Sequence, residues 1–194
     1  MRRTGTMTLV LCLATASAVR GQSSDWRLAV GADLGVVRER IQYPGLRELR
    51  SVTGVGLGLD GGRRLVGPLW LELDARVWRR RVEHLTSIYG GLGLRARGGV
   101  GVGLHLGLGR LSWVGGDDVT VAEGEAGSIP VTRGPATAWR GALDADVAAG
   151  PQWAVTPCLE VTATLGDYNR YELGGTLFRR RLSTVRLGIA LTRR

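Results

Sequence analysis

The sequence predicts an all-β chain folded as an eight-stranded antiparallel up-and-down transmembrane β-barrel, and three observations carry that expectation. Aliphatic residues alternate with Gly, Ala or charged residues in about eight separate runs, the period of two that a β-strand imposes on its faces. Leu104, Leu106 and Leu108 interleaved with Gly103, His105 and Gly107 show it most plainly. The connections between runs alternate between long and short. No stretch of about 20 apolar residues offers a spanning helix instead.

Residues 1–21 read as a cleaved secretory signal and residues 22–194 as one barrel domain. Arg2 and Arg3 form the basic region, Met7 to Leu13 with Ala14 the short apolar region, and Ala16-Ser17-Ala18 a small-residue cleavage site, with a second possible cut after Gly21. Cys12 leaves with the signal, since Leu11 occupies a position where a lipoprotein signal needs a small residue. Only Cys158 then remains, so neither an internal disulfide nor a cysteine metal cluster is expected.

All 26 basic residues are Arg, against 17 acidic ones, for a formal charge of +9. Part of that excess sits in the signal, so the mature chain is only modestly basic. Glycine is abundant, 31 of 194 residues, about twice the usual share of about 7%.

Strand one runs about Trp26 to Val37, with Trp26, Leu28, Val30, Ala32, Leu34 and Val36 opposed to Arg27, Gly31, Asp33 and Gly35. Strand two (about Val52 to Asp60) sets Val55, Leu57 and Leu59 against glycines. Strand three (about Leu69 to Arg80) sets Leu69, Leu71, Leu73, Ala75 and Val77 against Trp70, Glu72, Asp74, Arg76 and Trp78. Strand four (about Ser87 to Arg97) opposes Ile88, Leu92, Leu94 and Ala96 to Tyr89, Gly91, Gly93 and Arg95, and strand five runs about Val100 to Arg110. Strands six (about Ala138 to Ala149), seven (about Gln152 to Leu165) and eight (about Leu182 to Thr192) repeat the scheme. Pro157 interrupts the seventh, because proline donates no ladder hydrogen bond. Connections one, three, five and seven are long (about residues 38–51, 80–87, 111–137 and 166–181), while the others centre on Gly61-Gly62, Gly98-Gly99 and Gly150-Pro151. Short periplasmic turns, longer external loops and an even strand number describe an outer-membrane barrel.

Alternation alone fits a soluble barrel equally well, so the inner face has to be argued. Glycines on the non-aliphatic face suit a tight lumen better than a solvated surface. That face also balances Arg27, Arg76, Arg95, Arg97, Arg140 and Arg186 with Asp33, Glu72, Asp74, Asp144, Asp146 and Glu160, as charges withdrawn from water require. Trp26, Trp139 and Trp153 lie on the aliphatic face near strand starts, where an aromatic girdle would sit. Polar residues are therefore expected inside and aliphatic ones against lipid.

A signal, eight alternating strands, glycine turns and a charged lumen resemble the small bacterial outer-membrane barrels of the outer membrane protein A and X type, over the whole mature chain. The resemblance is architectural. It implies a bacterial outer-membrane location and carries no functional residues. Members of that class usually end in an aromatic residue, whereas this chain has Leu191, Thr192, Arg193 and Arg194.

Candidates for chemistry are few. A lipid A-modifying enzyme needs a nucleophile, a base and an orienting acid, and His84 with Glu83, Thr86 and Ser87 is the nearest approach. Adjacent residues on an extended chain point to opposite sides, which keeps Glu83 from orienting His84. His105 is expected to bond a lumen carboxylate. The glycines of Gly99-x-Gly101-x-Gly103 alternate within a strand and so are no nucleotide fingerprint. Arg79, Arg80 and Arg81, with Arg179, Arg180 and Arg181, flank external loops; they suit lipopolysaccharide phosphates better than nucleic acid. Residues 111–137, with Glu123-Gly124-Glu125 at their centre, are the candidate contact with a surface protein or ligand. The expected role is structural or surface interaction by a monomer with no cofactor and no enzymatic activity. A lipid A-modifying enzyme and a soluble periplasmic lipid-binding barrel are the alternatives.

Overall fold

Alternating side chains make each strand two-faced, and curling the sheet into a closed barrel hides one face while leaving no edge unpaired. The computed structural model describes residues 25–43, 45–80, 83–96, 100–114, 135–167, 169–173 and 176–193. The strands are β1 (Trp26–Tyr43), β2 (Leu46–Val66), β3 (Leu69–Arg80), β4 (Glu83–Arg95), β5 (Val100–Val114), β6 (Ala136–Ala148), β7 (Trp153–Thr164), β8 (Asn169–Leu173) and β9 (Thr176–Arg193). All pair antiparallel in the order β1 to β7, then β9 and β8, and β1 also pairs with β9. Eight strands thus close the barrel, and β8 is a short addition to its rim. The segment read as a signal lies outside the described residues.

The barrel is inverted relative to a soluble protein. Leu34, Leu57, Leu73, Leu106 and Leu187 are half or more exposed on the outer wall, while Asp74, His105, Glu160 and Arg186 are buried inside. The aliphatic face of every barrel strand therefore points outward, as hydrocarbon contact requires.

Several connections differ from expectation. Residues 38–51, read as a loop, continue β1 and β2 as a hairpin in unbroken register from Val36↔Thr53 to Tyr43↔Leu46. Gly61-Gly62 is not a turn; β2 runs on to Val66, and the chain reverses at Gly67, which adopts φ +53°. Glycine is used in that left-handed region because it lacks a Cβ. Gly62 instead pairs with Glu72 in the β2–β3 ladder. The third connection is tight, since β3 ends at Arg80 and β4 begins at Glu83. The fifth begins later than expected, because β5 extends through Leu111 to Val114, and residues 115–134 lie outside the described residues. Part of the seventh folds as β8 against the start of β9. Pro157 is accommodated: the β6–β7 ladder skips from Asp144↔Cys158 to Val147↔Val155, while Pro157 still opposes Ile189 on the other side.

β1, β2 and β9 span 18, 21 and 18 residues, whereas a bilayer crossing takes about 9–11. Their surplus projects past the aliphatic belt. The register Leu28↔Arg193 sets the start of β1 and the end of β9 at the opposite mouth, with the turns at Gly67 and Gly150-Pro151.

Candidate functional site

The lumen is filled by inward-facing residues of β1, β3, β4, β5, β6, β7 and β9. At mid-height Glu160, fully buried, accepts a hydrogen bond from Arg140 Nε at 2.8 Å and faces Arg76 Nε at 3.2 Å and Arg186 Nη1 at 3.4 Å. Arg76 also donates to Asp74 at 2.9 Å and to Asp33 at 3.2 Å. Toward the mouth with the Gly67 turn, Arg95 donates to Asp144 at 2.5 Å and Asp146 at 3.2 Å, and Arg27 reaches the same two carboxylates at 3.2 and 3.4 Å. His105 is held between Glu72, on its Nδ1, and Asp144, 3.0 Å from its Nε2. Thr156 donates to Asp146 at 2.7 Å.

Glycine makes room for these long side chains. Gly58 and Gly103 stand opposite Arg76 and Asp144 across their ladders, and a Cβ at Gly56 would lie 2.6 Å from an Asp33 carboxylate oxygen. Thus the glycine-rich face is the counterpart of the charged one: the tube is narrow, and each charge is kept close to its partner.

Above the charged layers lies an apolar plug that the sequence reading did not identify. Trp78 and Trp113 pack with ring centroids 6.1 Å apart, surrounded by Val37, Val52, Leu85, Leu111 and Leu182. Gly54 admits the Trp78 indole, whose six-membered ring a Cβ there would strike. Glu39 and Arg180, beyond the plug, are also buried and pair at 3.4 Å. Asp60 is a further member of the network, near Arg27 at 3.6 Å and Arg140 at 3.5 Å. A small cleft whose lining includes Arg27, Asp60, His105 and Cys158 beside alanines and glycines is left in the lumen.

The structure thus brings together Arg27, Asp33, Glu72, Asp74, Arg76, Arg95, Arg140, Asp144, Asp146, Glu160 and Arg186. Arg97 and Arg81 lie outside the described residues. Arg180 requires a correction: it points inward onto Glu39, because Arg179 to Arg181 belong to β9 and alternate in direction, so it is closed to an external phosphate. Arg79, Arg80, Arg179 and Arg181 are exposed. Trp26, Trp139 and Trp153 lie on the outer wall, 63%, 38% and 42% exposed, with the Arg63 guanidinium 5.3 Å from the Trp26 ring centroid. His84 is exposed opposite Arg79 in the β3–β4 ladder, whereas Ser87 is buried on the inner face, so the two do not meet. Among the described residues no group of three or more His, Cys, Asp or Glu is placed to hold a metal ion.

No protein-family model and no curated protein matches the chain. Solved structures do. The crystal structure of neisserial surface protein A matches with TM-score 0.50 at 12% identity, over 86% of this chain and 96% of that one. The outer membrane protein OprG from Pseudomonas aeruginosa matches with TM-score 0.51 at 11% identity, over 89% of this chain and 97% of that one. The chain has the fold of the small outer-membrane β-barrels. At such identity the likeness concerns architecture alone. The outer-membrane barrel fold accounts for both faces of the wall: aliphatic residues outside, and ion pairs and glycines within.

Proposed function

We propose that this protein is a monomeric barrel of a bacterial outer membrane, with a structural or surface-interaction role exercised at the end where β1, β2 and β9 project beyond the belt. The filled lumen is the observation that carries this reading. Layers of ion pairs topped by the Trp78–Trp113 plug leave side chains where a solute path would run, as eight strands usually do. The role then falls to the projecting end. Arg79, Arg80, Arg179 and Arg181 are its exposed candidates for lipopolysaccharide phosphates. Residues 111–137 are the candidate segment for a surface protein or ligand; residues 115–134 of it lie outside the described residues.

A lipid-modifying enzyme is less well supported, since His84 and Ser87 face opposite sides of β4. A soluble periplasmic carrier would have to keep its outward leucines in water, a far larger apolar surface than soluble monomers expose. Cell fractionation with heat-modifiable gel mobility tests the reading: a protein of the outer-membrane fraction that migrates differently unheated agrees with it, and one that stays in solution without detergent contradicts it. In planar bilayers the refolded barrel is expected to show no steady ion conductance. Regular open-channel steps would instead make it a pore.

A further inference from the structure

Three strands that continue beyond the belt align their outward positions into one surface. On β1 these are Arg38, Arg40 and Gln42, on β2 Arg47, Leu49 and Ser51, and on β9 Arg179, Arg181 and Ser183. None is a carboxylate, and all five arginines are exposed. Arg40 stands directly opposite Arg181 across the β1–β9 ladder, and Arg38 is two residues along the same face. Like charges directly opposed in a sheet are destabilising. One carboxylate, Asp167, reaches Arg181 Nε at 2.9 Å from the β7–β8 connection, so the face with its five arginines keeps an excess of four positive charges. An anion seated between the strands would remove the repulsion and gain charge-assisted, bidentate contacts.

Directly below, the outer wall is indented. Ala32 is the small outward residue on β1 and is flanked across its two ladders by Leu57 and Ile189. With Leu34, Val55 and Leu187 they line an apolar groove that ends at Arg79. The groove and the arginine face lie on the same side of the barrel, one at belt height and one above it.

We infer that this composite surface binds one phosphorylated, multiply acylated glycolipid of the outer leaflet, of the lipid A class, with an acyl chain along the Ala32 groove and phosphate on Arg38, Arg40 and Arg181. The inference deepens the outer-membrane reading and rests on it. Neither half needs the lumen. The arginines explain the anionic headgroup and the groove explains a lipid in place of a soluble polyanion; an acyl chain fills the hollow that Ala32 leaves between larger neighbours.

The test is native mass spectrometry of the refolded full barrel in detergent micelles, titrated with bis-phosphorylated lipid A, with lipid A stripped of both phosphates, and with dextran sulfate as a soluble polyanion. One bound lipid A is expected. Its affinity should fall by about tenfold or more in the R38Q/R40Q/R181Q variant and for the stripped lipid, the size of losing at least one charged hydrogen bond. Ala32→Leu, which fills the groove from the lipid-facing side, should weaken lipid A and leave dextran sulfate unaffected. Unchanged lipid A affinity in the arginine variant overturns the inference, and so does dextran sulfate competing fully while Ala32→Leu has no effect. Heat-modifiable mobility verifies that each variant is folded. A wild-type barrel that fractionates with the outer membrane yet retains no lipid A refutes this site alone; one absent from that fraction refutes the broader reading.

Discussion

Glu160→Ala should destabilise the folded barrel by about 3–5 kcal/mol, the range for removing one partner from a buried ionic cluster. The expectation follows from what remains. Glu160 is fully buried on β7 and takes the charge of Arg140, Arg76 and Arg186 within 2.8 to 3.4 Å. Removing its carboxylate leaves three guanidiniums facing one another in a narrow tube, with Arg186 losing its partner directly across the β7–β9 ladder. Arg76 and Arg140 retain Asp74, at 2.9 and 3.5 Å, so the barrel should be weakened, not abolished. Glu160→Gln keeps the shape and one acceptor oxygen and should cost less. Urea unfolding in micelles, followed by unheated gel mobility, reads the difference; a Glu160→Ala midpoint equal to wild type would remove the network from the account of stability.

Leu106→Arg is the second large effect, and its sign separates membrane from water. Leu106 is 62% exposed on the outer wall of β5, amid Leu104 and Leu108. A guanidinium there is expected to cost about 2–4 kcal/mol near the bilayer midplane. In a soluble barrel the same change would be a surface substitution, within about 0.5 kcal/mol of neutral. Reversible unfolding from lipid bilayers distinguishes the two outcomes without reference to any ligand.

The crossing segments were legible because one physical demand, hydrocarbon on one face, writes itself as period two. Leu71, Leu73 and Val77 with Glu72, Asp74 and Arg76 leave no choice of register, since a one-residue slip would put every charge in lipid. Elsewhere that demand is absent. Arg38-Glu39-Arg40 has polar side chains on both faces, so the β1–β2 extension carries no hydropathy signal although its ladder is continuous. Its other neighbour, β9, which pairs with β1 from Val36↔Val185 to Gln42↔Arg179, lies more than a hundred residues away in sequence. The same silence hid the Glu39–Arg180 pair, whose members occupy two segments that read as loops. Gly61-Gly62 misled for a different reason: a pair of glycines often marks a turn, and here both lie inside β2, opposite Leu73 and Glu72 in the β2–β3 ladder. The plug was half visible, because Trp78 reads as inward-facing, but Trp113 lies past the expected end of its strand.

The orientation of the strand faces is the claim on which the rest depends, and nitroxide accessibility along β5 measures it most directly. Labels at cysteines introduced singly from residue 103 to residue 108 of the bilayer-reconstituted barrel should alternate, with 104, 106 and 108 accessible to oxygen dissolved in lipid and 103, 105 and 107 shielded from it. The opposite phase, or uniform access to a water-soluble relaxation agent at 104, 106 and 108, would contradict the inverted barrel.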